Sequence, residues 1–339
     1  MVKRRTINRL TLATLALAVS VVVLGAYVRL SDAGLGCPDW PGCYGRLIAP
    51  EAKEAAPLSN EYERPLETGK AWKEMIHRYA AGLLGLAIFG IALLSWRRRN
   101  MPGQPLKMPL ILVGLVIFQA ILGMWTVTLL LKPLVVVLHL LGGFSVLAVL
   151  WWVALDHGFL DPGPVARTQR EKLRYVRPWV VLGLFLLAGQ VALGGWTSSN
   201  YAALACPDFP TCHGEWWPNA DFADGFVLWR GLGQNYEWGV LDGPARVSIH
   251  LAHRIGAVVT FLYIAWLAIE LLRGGVLSAL GTVLLLLVIL QVCLGIANVI
   301  FGLPLAVAVA HNAVAAGLVL ALVTVVHRLW LPGVPPLDN

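Results

Sequence analysis

The chain has 339 residues, 58% of them hydrophobic and 13% charged, with a mean hydropathy of +0.71. A soluble domain of this length does not read so apolar. The formal charge of +7 does not signal nucleic acid either, because the basic residues gather in a few loops between apolar stretches.

Eight stretches, roughly 9–29, 72–96, 108–130, 134–155, 178–197, 245–271, 276–300 and 303–329, meet or nearly meet the ~20 residues a spanning helix needs. Helices satisfy their own backbone hydrogen bonds in lipid. The fold class is therefore all-α integral membrane, with eight transmembrane helices. The first stretch follows Lys3, Arg4, Arg5 and Arg9, a basic-then-apolar start that resembles a signal peptide. It is read as a span instead, because it has a partner later in the chain. Arg97, Arg98, Arg99 and Lys107 separate spans two and three, and Arg167, Arg170, Lys172, Arg174 and Arg177 separate spans four and five. Arg273 and Arg328 continue the series, while loops 31–70 and 198–243 hold most of the acids. The positive-inside rule then puts both termini in the cytoplasm and those two loops outside a plasma membrane.

The chain repeats itself. Cys37-Pro38-Asp39-Trp40-Pro41-Gly42-Cys43-Tyr44-Gly45 matches Cys206-Pro207-Asp208-Phe209-Pro210-Thr211-Cys212-His213-Gly214, at an offset of 169. His77-Arg78 matches His253-Arg254 at 176. Gln119 with Leu122-Gly123 matches Gln291 with Leu294-Gly295, and His139 matches His311, both at 172. Four spans per half insert both halves in one orientation, related by a pseudo-twofold axis along the membrane normal. The expected division is 1–158 and 172–339, two four-helix bundles joined by a cytoplasmic linker, 159–171, made irregular by Pro162, Gly163 and Pro164. Segment 50–66, rich in Glu, Pro and Lys, reads as mobile. Trp216, Trp217, Trp229 and Trp238 in the second outer loop read as an interface belt or as a lid.

Four of five cysteines fall in the outer loops, where disulfides persist. The expected pairs are Cys37–Cys43 and Cys206–Cys212, either redox-active or purely structural. Five intervening residues and few soft ligands argue against zinc. Cys293, mid-span, reads as a small core residue.

Ionisable groups within spans are costly and mark function. His77 lies seven residues after Lys70 and His139 six after Pro133, so both sit ~10 Å below the outer surface at ~1.5 Å per residue. His253 follows Pro244 by nine and His311 follows Pro304 by seven. Each half thus offers two histidines at similar depth on different helices, the arrangement for axial ligation of a haem in a bundle. Arg78 and Arg254, beside the ligands, are read as reaching haem propionates or as snorkelling to the interface. Small residues at Gly142, Gly143, Ala313, Ala315, Ala316 and Gly317 would admit a flat macrocycle or a close helix contact. Glu74 shares a helix face with His77, whereas His250 stands before His253. Glu74 reads as a base or charge stabiliser, with a helix N-terminal acid as the plain alternative. His250 reads as a hydrogen-bonding residue.

Together these motifs resemble the haem A synthase family of bacteria and mitochondria, over essentially the whole chain. The resemblance implies oxidation of the C8 methyl of haem O to the formyl of haem A, for use by terminal oxidases. It implies haem b on His253 and His311 and the substrate haem on His77 and His139. It makes Glu74 the catalytic glutamate and links the Cys37–Cys43 pair to turnover or haem transfer. Implied partners are haem O, haem O synthase, oxidase assembly factors and membrane lipid; a homo-oligomer is compatible with it. The competing expectations are a dihaem b-type electron carrier or quinol-linked cytochrome, and a transporter built on the same repeat.

Overall fold

The computed structural model describes residues 2–101, 104–160, 174–275 and 277–330. Among these residues eight helices are long and apolar enough to cross a membrane. They are α1 (Val2–Leu30), α2 (Thr68–Arg97), α3 (Lys107–Thr128), α4 (Pro133–Asp156), α5 (Arg177–Ser199), α6 (Gly243–Arg273), α7 (Ser278–Ile300) and α8 (Leu305–Trp330). The described residues form no strand beyond two isolated bridges. Proline opens α4, α5 and α6, where its missing N–H costs nothing. Asp242 caps α6, its carboxylate accepting from Ala245 N at 3.0 Å.

In the first half α1 packs on α2, α2 on α3, α3 on α4, and α4 back on α1. The second half closes the same ring through α5, α6, α7 and α8. The halves meet through α4–α5, α1–α8 and α4–α8. The first two contacts exchange under the repeat and the third maps onto itself, as a twofold axis passing between α4 and α8 requires. One apolar core, running from Leu15 to Leu329, spans both halves at this seam. Polar ties cross it too. Trp151 Nε1 donates to Thr324 Oγ1 at 2.8 Å, and His327 Nε2 lies 2.9 Å from Asp156 Oδ1. At the other end Arg29 donates to Tyr201 OH at 3.1 Å and to the Ser198 carbonyl at 2.6 Å. Most of the inter-half linker, 161–173, lies outside the described residues.

The outer loops are built rather than slack. Segment 50–66, read from sequence as mobile, holds a 3-10 turn and a helix, Ala55–Glu61. Its Leu58 is buried with Cys37, Cys43 and Tyr44, and Tyr62 packs edge-on against Tyr44. The second outer loop crosses to the first half. Tyr236 N donates to the Leu130 carbonyl at 3.0 Å, and Tyr236 is buried with Leu35, Val127 and Leu131. Arg64 forms a forked ion pair with Glu237 at 2.7 and 3.0 Å. Lys132, almost fully buried, donates to the Gly231 carbonyl and lies 3.3 Å from the Trp229 ring centre.

Candidate functional site

Each cysteine loop is a small hairpin shaped by its aspartate. Asp39 accepts from Tyr44 N at 2.6 Å and Gly45 N at 2.9 Å; Asp208 accepts from His213 N at 2.6 Å and Gly214 N at 3.0 Å. Tyr44 and His213 take left-handed backbone angles and a left-handed glycine follows each, which explains the Cys-x-Gly ending. The disulfides Cys37–Cys43 and Cys206–Cys212 are formed, and all four sulfurs belong to buried residues.

These hairpins sit directly over the helix positions singled out in the sequence. Glu74, 4% exposed, accepts from Cys37 N at 2.8 Å through Oε2 and from Arg78 Nη2 at 2.6 Å through Oε1. Arg78 Nη1 donates to the carbonyls of Asp39 at 2.9 Å, Pro41 at 3.4 Å, and Gly42. The second half repeats this wiring. His250 Nδ1 accepts from Cys206 N at 3.2 Å. Arg254 donates to the carbonyls of Thr211 at 2.8 Å, Cys206 at 3.0 Å and Asp208 at 2.8 Å. Both arginines are thus turned to the hairpins. The reason is directional: helical side chains lean toward the helix N-terminus, and for α2 and α6 that end carries the hairpin.

The chemistry of the two wirings differs at one residue. Arg254 Nε lies 3.3 Å from His250 Nε2. A carboxylate accepts two donors at once, but a neutral imidazole has a single acceptor nitrogen. Glu74 therefore satisfies both the cysteine N–H and its arginine, while His250 can satisfy only one.

Below the hairpins lie the four histidines. All four keep partial exposure although they sit inside spans, so they line gaps between helices rather than packed core. His77 on α2 and His139 on α4 form the first pair, and His253 on α6 and His311 on α8 the second. Each ring edge rests on a glycine of the preceding helix. A Cβ on Gly25 would stand 3.0 Å from His77 Cε1, on Gly123 3.3 Å from His139 Cε1, on Gly194 3.2 Å from His253 Cε1, and on Gly295 3.2 Å from His311 Cε1. The glycines repeat at the offsets of the loop and of α3, 169 and 172. Nδ1 of His77, His139 and His311 is buried with no hydrogen-bond partner among the described residues. An orphaned buried imidazole nitrogen costs about 1–3 kcal/mol and calls for a role.

Of the small residues read as room for a macrocycle or as close helix contacts, Gly143 faces open space, while Gly142, Ala315 and Ala316 lie in helix contacts. A Cβ on Gly142 would collide with the Gln119 amide, which donates to the His139 carbonyl at 3.1 Å. Ala315 and Ala316 belong to the core between the halves. The glycines that matter are on the neighbouring helices. Gly123 and Gly295 were visible as repeat landmarks; Gly25 and Gly194 could have been found by extending the cysteine-loop alignment backwards.

Among the described residues no group of three His, Cys, Asp or Glu residues is placed to hold a metal ion. Two imidazoles per site fit an iron whose other ligands come from a porphyrin. The family model described as COX15-CtaA, cytochrome oxidase assembly protein, matches residues 8–323. The chain belongs to this family. Among its relatives, the haem A synthase of Shewanella oneidensis is 47% identical over 321 residues, covering 94% of each chain. The haem A synthase of Rhizorhabdus wittichii is 28% identical, covering 94% of this chain and 92% of its own. That of Shouchella clausii is 26% identical over 87% of each. The COX15-CtaA chain described here thus aligns with enzymes of haem A formation along nearly its whole length, with eight spans in the membrane.

Proposed function

We propose that this protein is a haem A synthase in which the first half, 1–158, holds the substrate and the second half, 172–339, holds a resident haem b. The observation that carries the proposal is the doubled site: two histidines on different helices, each against a glycine of the preceding helix, beneath a disulfide hairpin, once in each half. The net reaction replaces two methyl hydrogens of haem O at C8 by one oxygen and removes four electrons, making the enzyme an oxidoreductase. His253 and His311 would hold the resident haem b, which would bring one-electron redox chemistry to the second half.

The chain's own residues do the positioning. His77 and His139 bind the substrate iron from opposite helices and fix the ring between α2 and α4. Glu74 is the catalytic carboxylate, one turn above His77, where it can take protons lost from the methyl group or balance positive charge building on the ring. Its bond to Cys37 N ties that carboxylate to the Cys37–Cys43 hairpin, which supports a part for this pair in turnover or haem transfer. Arg78 and Arg254 serve the haem sites by holding the hairpins over them. The membrane is the plasma membrane, with both termini cytoplasmic and the hairpins outside, as the charge pattern supports. Haem O synthase is the expected donor of substrate, and oxidase assembly factors the expected recipients of product.

The test is pigment extraction after co-expression with haem O synthase, followed by mass analysis. Wild type is expected to yield the formyl porphyrin, and Glu74→Gln to retain haem but yield haem O only. Normal haem A output from the variant would remove Glu74 from the mechanism.

A further inference from the structure

The two halves agree on ligands and cradles but not on what stands behind the α2 and α6 histidines. In the second half Gln190 of α5 places its amide Nε2 3.0 Å from His253 Nδ1 and 3.0 Å from the His253 carbonyl. The amide fits because residue 256 is glycine: a Cβ there would collide with Gln190 Oε1. Shifting by the repeat offsets, Gln190 becomes Val21 and Gly256 becomes Ala80. Val21 packs against the apolar core, and His77 Nδ1 is left with no partner among the described residues. Both members of the pair have changed together, amide with glycine in one half, valine with alanine in the other.

A histidine that binds metal through one ring nitrogen is held in place by a hydrogen bond at the other, and losing that partner typically lowers affinity about 10–100-fold. Gln190 is suited to this. Its amide presents a donor to Nδ1 as it stands, while its Oε1 is buried without a partner among the described residues. A half-turn of the amide gives up its bond to the His253 carbonyl and sets Oε1 beside that oxygen, but brings Oε1 to Nδ1, where it accepts Nδ1–H and leaves the Nε2 lone pair for iron.

We propose that Gln190 is a positioning residue that locks the His253 imidazole and makes the second site a permanent haem site, whereas Val21 leaves His77 unlocked so that the first site takes up substrate and releases product. The inference rests on the two-haem reading above. It explains how one protein keeps one porphyrin and exchanges the other while presenting each with two histidines.

The test uses purified full-length protein and reads haem release to excess apomyoglobin, together with the low-spin haem EPR signal. Gln190→Val is expected to speed release of haem b about tenfold or more and to shift the EPR g-values, without altering the ligand set. Gln190→Glu keeps an acceptor at Nδ1; it is expected to retain haem b and to lower its midpoint potential, because a stronger acceptor makes the imidazole more basic. The reciprocal double variant, Val21→Gln with Ala80→Gly, is expected to slow release from the first site. Release and EPR unchanged in Gln190→Val overturn the inference, as does loss of haem from Gln190→Glu equal to that from Gln190→Val. A His253→Ala variant run alongside separates the two levels: if it keeps the wild-type haem b spectrum, the two-haem reading itself fails.

Discussion

At the scale of single residues, one substitution within the repeat separates the halves. Glu74 and His250 occupy the same position, receive the same cysteine N–H, and sit beside the same arginine. The sequence made the exchange visible but not its geometry, because nothing in a linear repeat says that position 74 touches position 37. Arg78 and Arg254 were legible as paired side chains next to histidines. Their targets were not, since the lean of helical side chains decides the matter and a loop supplies the acceptors. The hairpin aspartates carry a test of their own. The Thr211 hydroxyl and the backbone N–H groups of Gly214 and His213 hold the Asp208 carboxyl down to about 2, from an ordinary 3.8. A depressed value means that its contribution is complete above the ordinary value and is lost as pH falls through the folded one. We expect Asp208→Asn to open Cys206–Cys212 to a phosphine reductant. The ratio of variant to wild-type reduction rates should be constant above pH 3.8 and fall toward one as the pH nears 2. A ratio independent of pH across that window would show that the carboxylate does not hold the hairpin.

At the scale of elements, the spans were readable almost to their ends because length and apolarity dictate them. What could not be read was contact between helices. The four glycines lie on helices other than those bearing the histidines, so no spacing within a segment reveals them. The second outer loop was equally opaque. Beyond Gly214 it has no repeat partner and little apolar periodicity, yet it lies across the start of α4 through Lys132, Trp229 and Tyr236, and against the approach to α2 through Arg64 and Glu237. It therefore touches the roots of both helices that carry the first histidine pair. The partly buried, forked Arg64–Glu237 pair is worth about 1 kcal/mol, at the upper end for pairs near a surface. Arg64→Ala is expected to raise the rate of tryptic cleavage after Arg230 several-fold while leaving the span-protected fragments intact. An unchanged rate would mean that the loop is held by Lys132 and Tyr236 alone.

At the scale of the whole molecule, duplication explains the symmetry and, under the proposed function, the division of labour. A seam formed by α1, α4, α5 and α8 leaves α2, α3, α6 and α7 on the outside of the pair. Each site lies within its own ring of four helices, so one site can change without repacking the other. Under the proposed function, this lets a doubled scaffold hold a fixed redox group and an exchangeable substrate side by side in one membrane. The most direct measurement is the identity of the pigment retained by purified His77→Ala and His253→Ala, each co-expressed with haem O synthase and analysed by extraction and mass. We expect His77→Ala to keep haem b and to contain no haem O or haem A, and His253→Ala to lose haem b while still holding haem O. Equal loss of all pigments from both variants, or loss of haem b from His77→Ala alone, would contradict two separate sites with separate tasks.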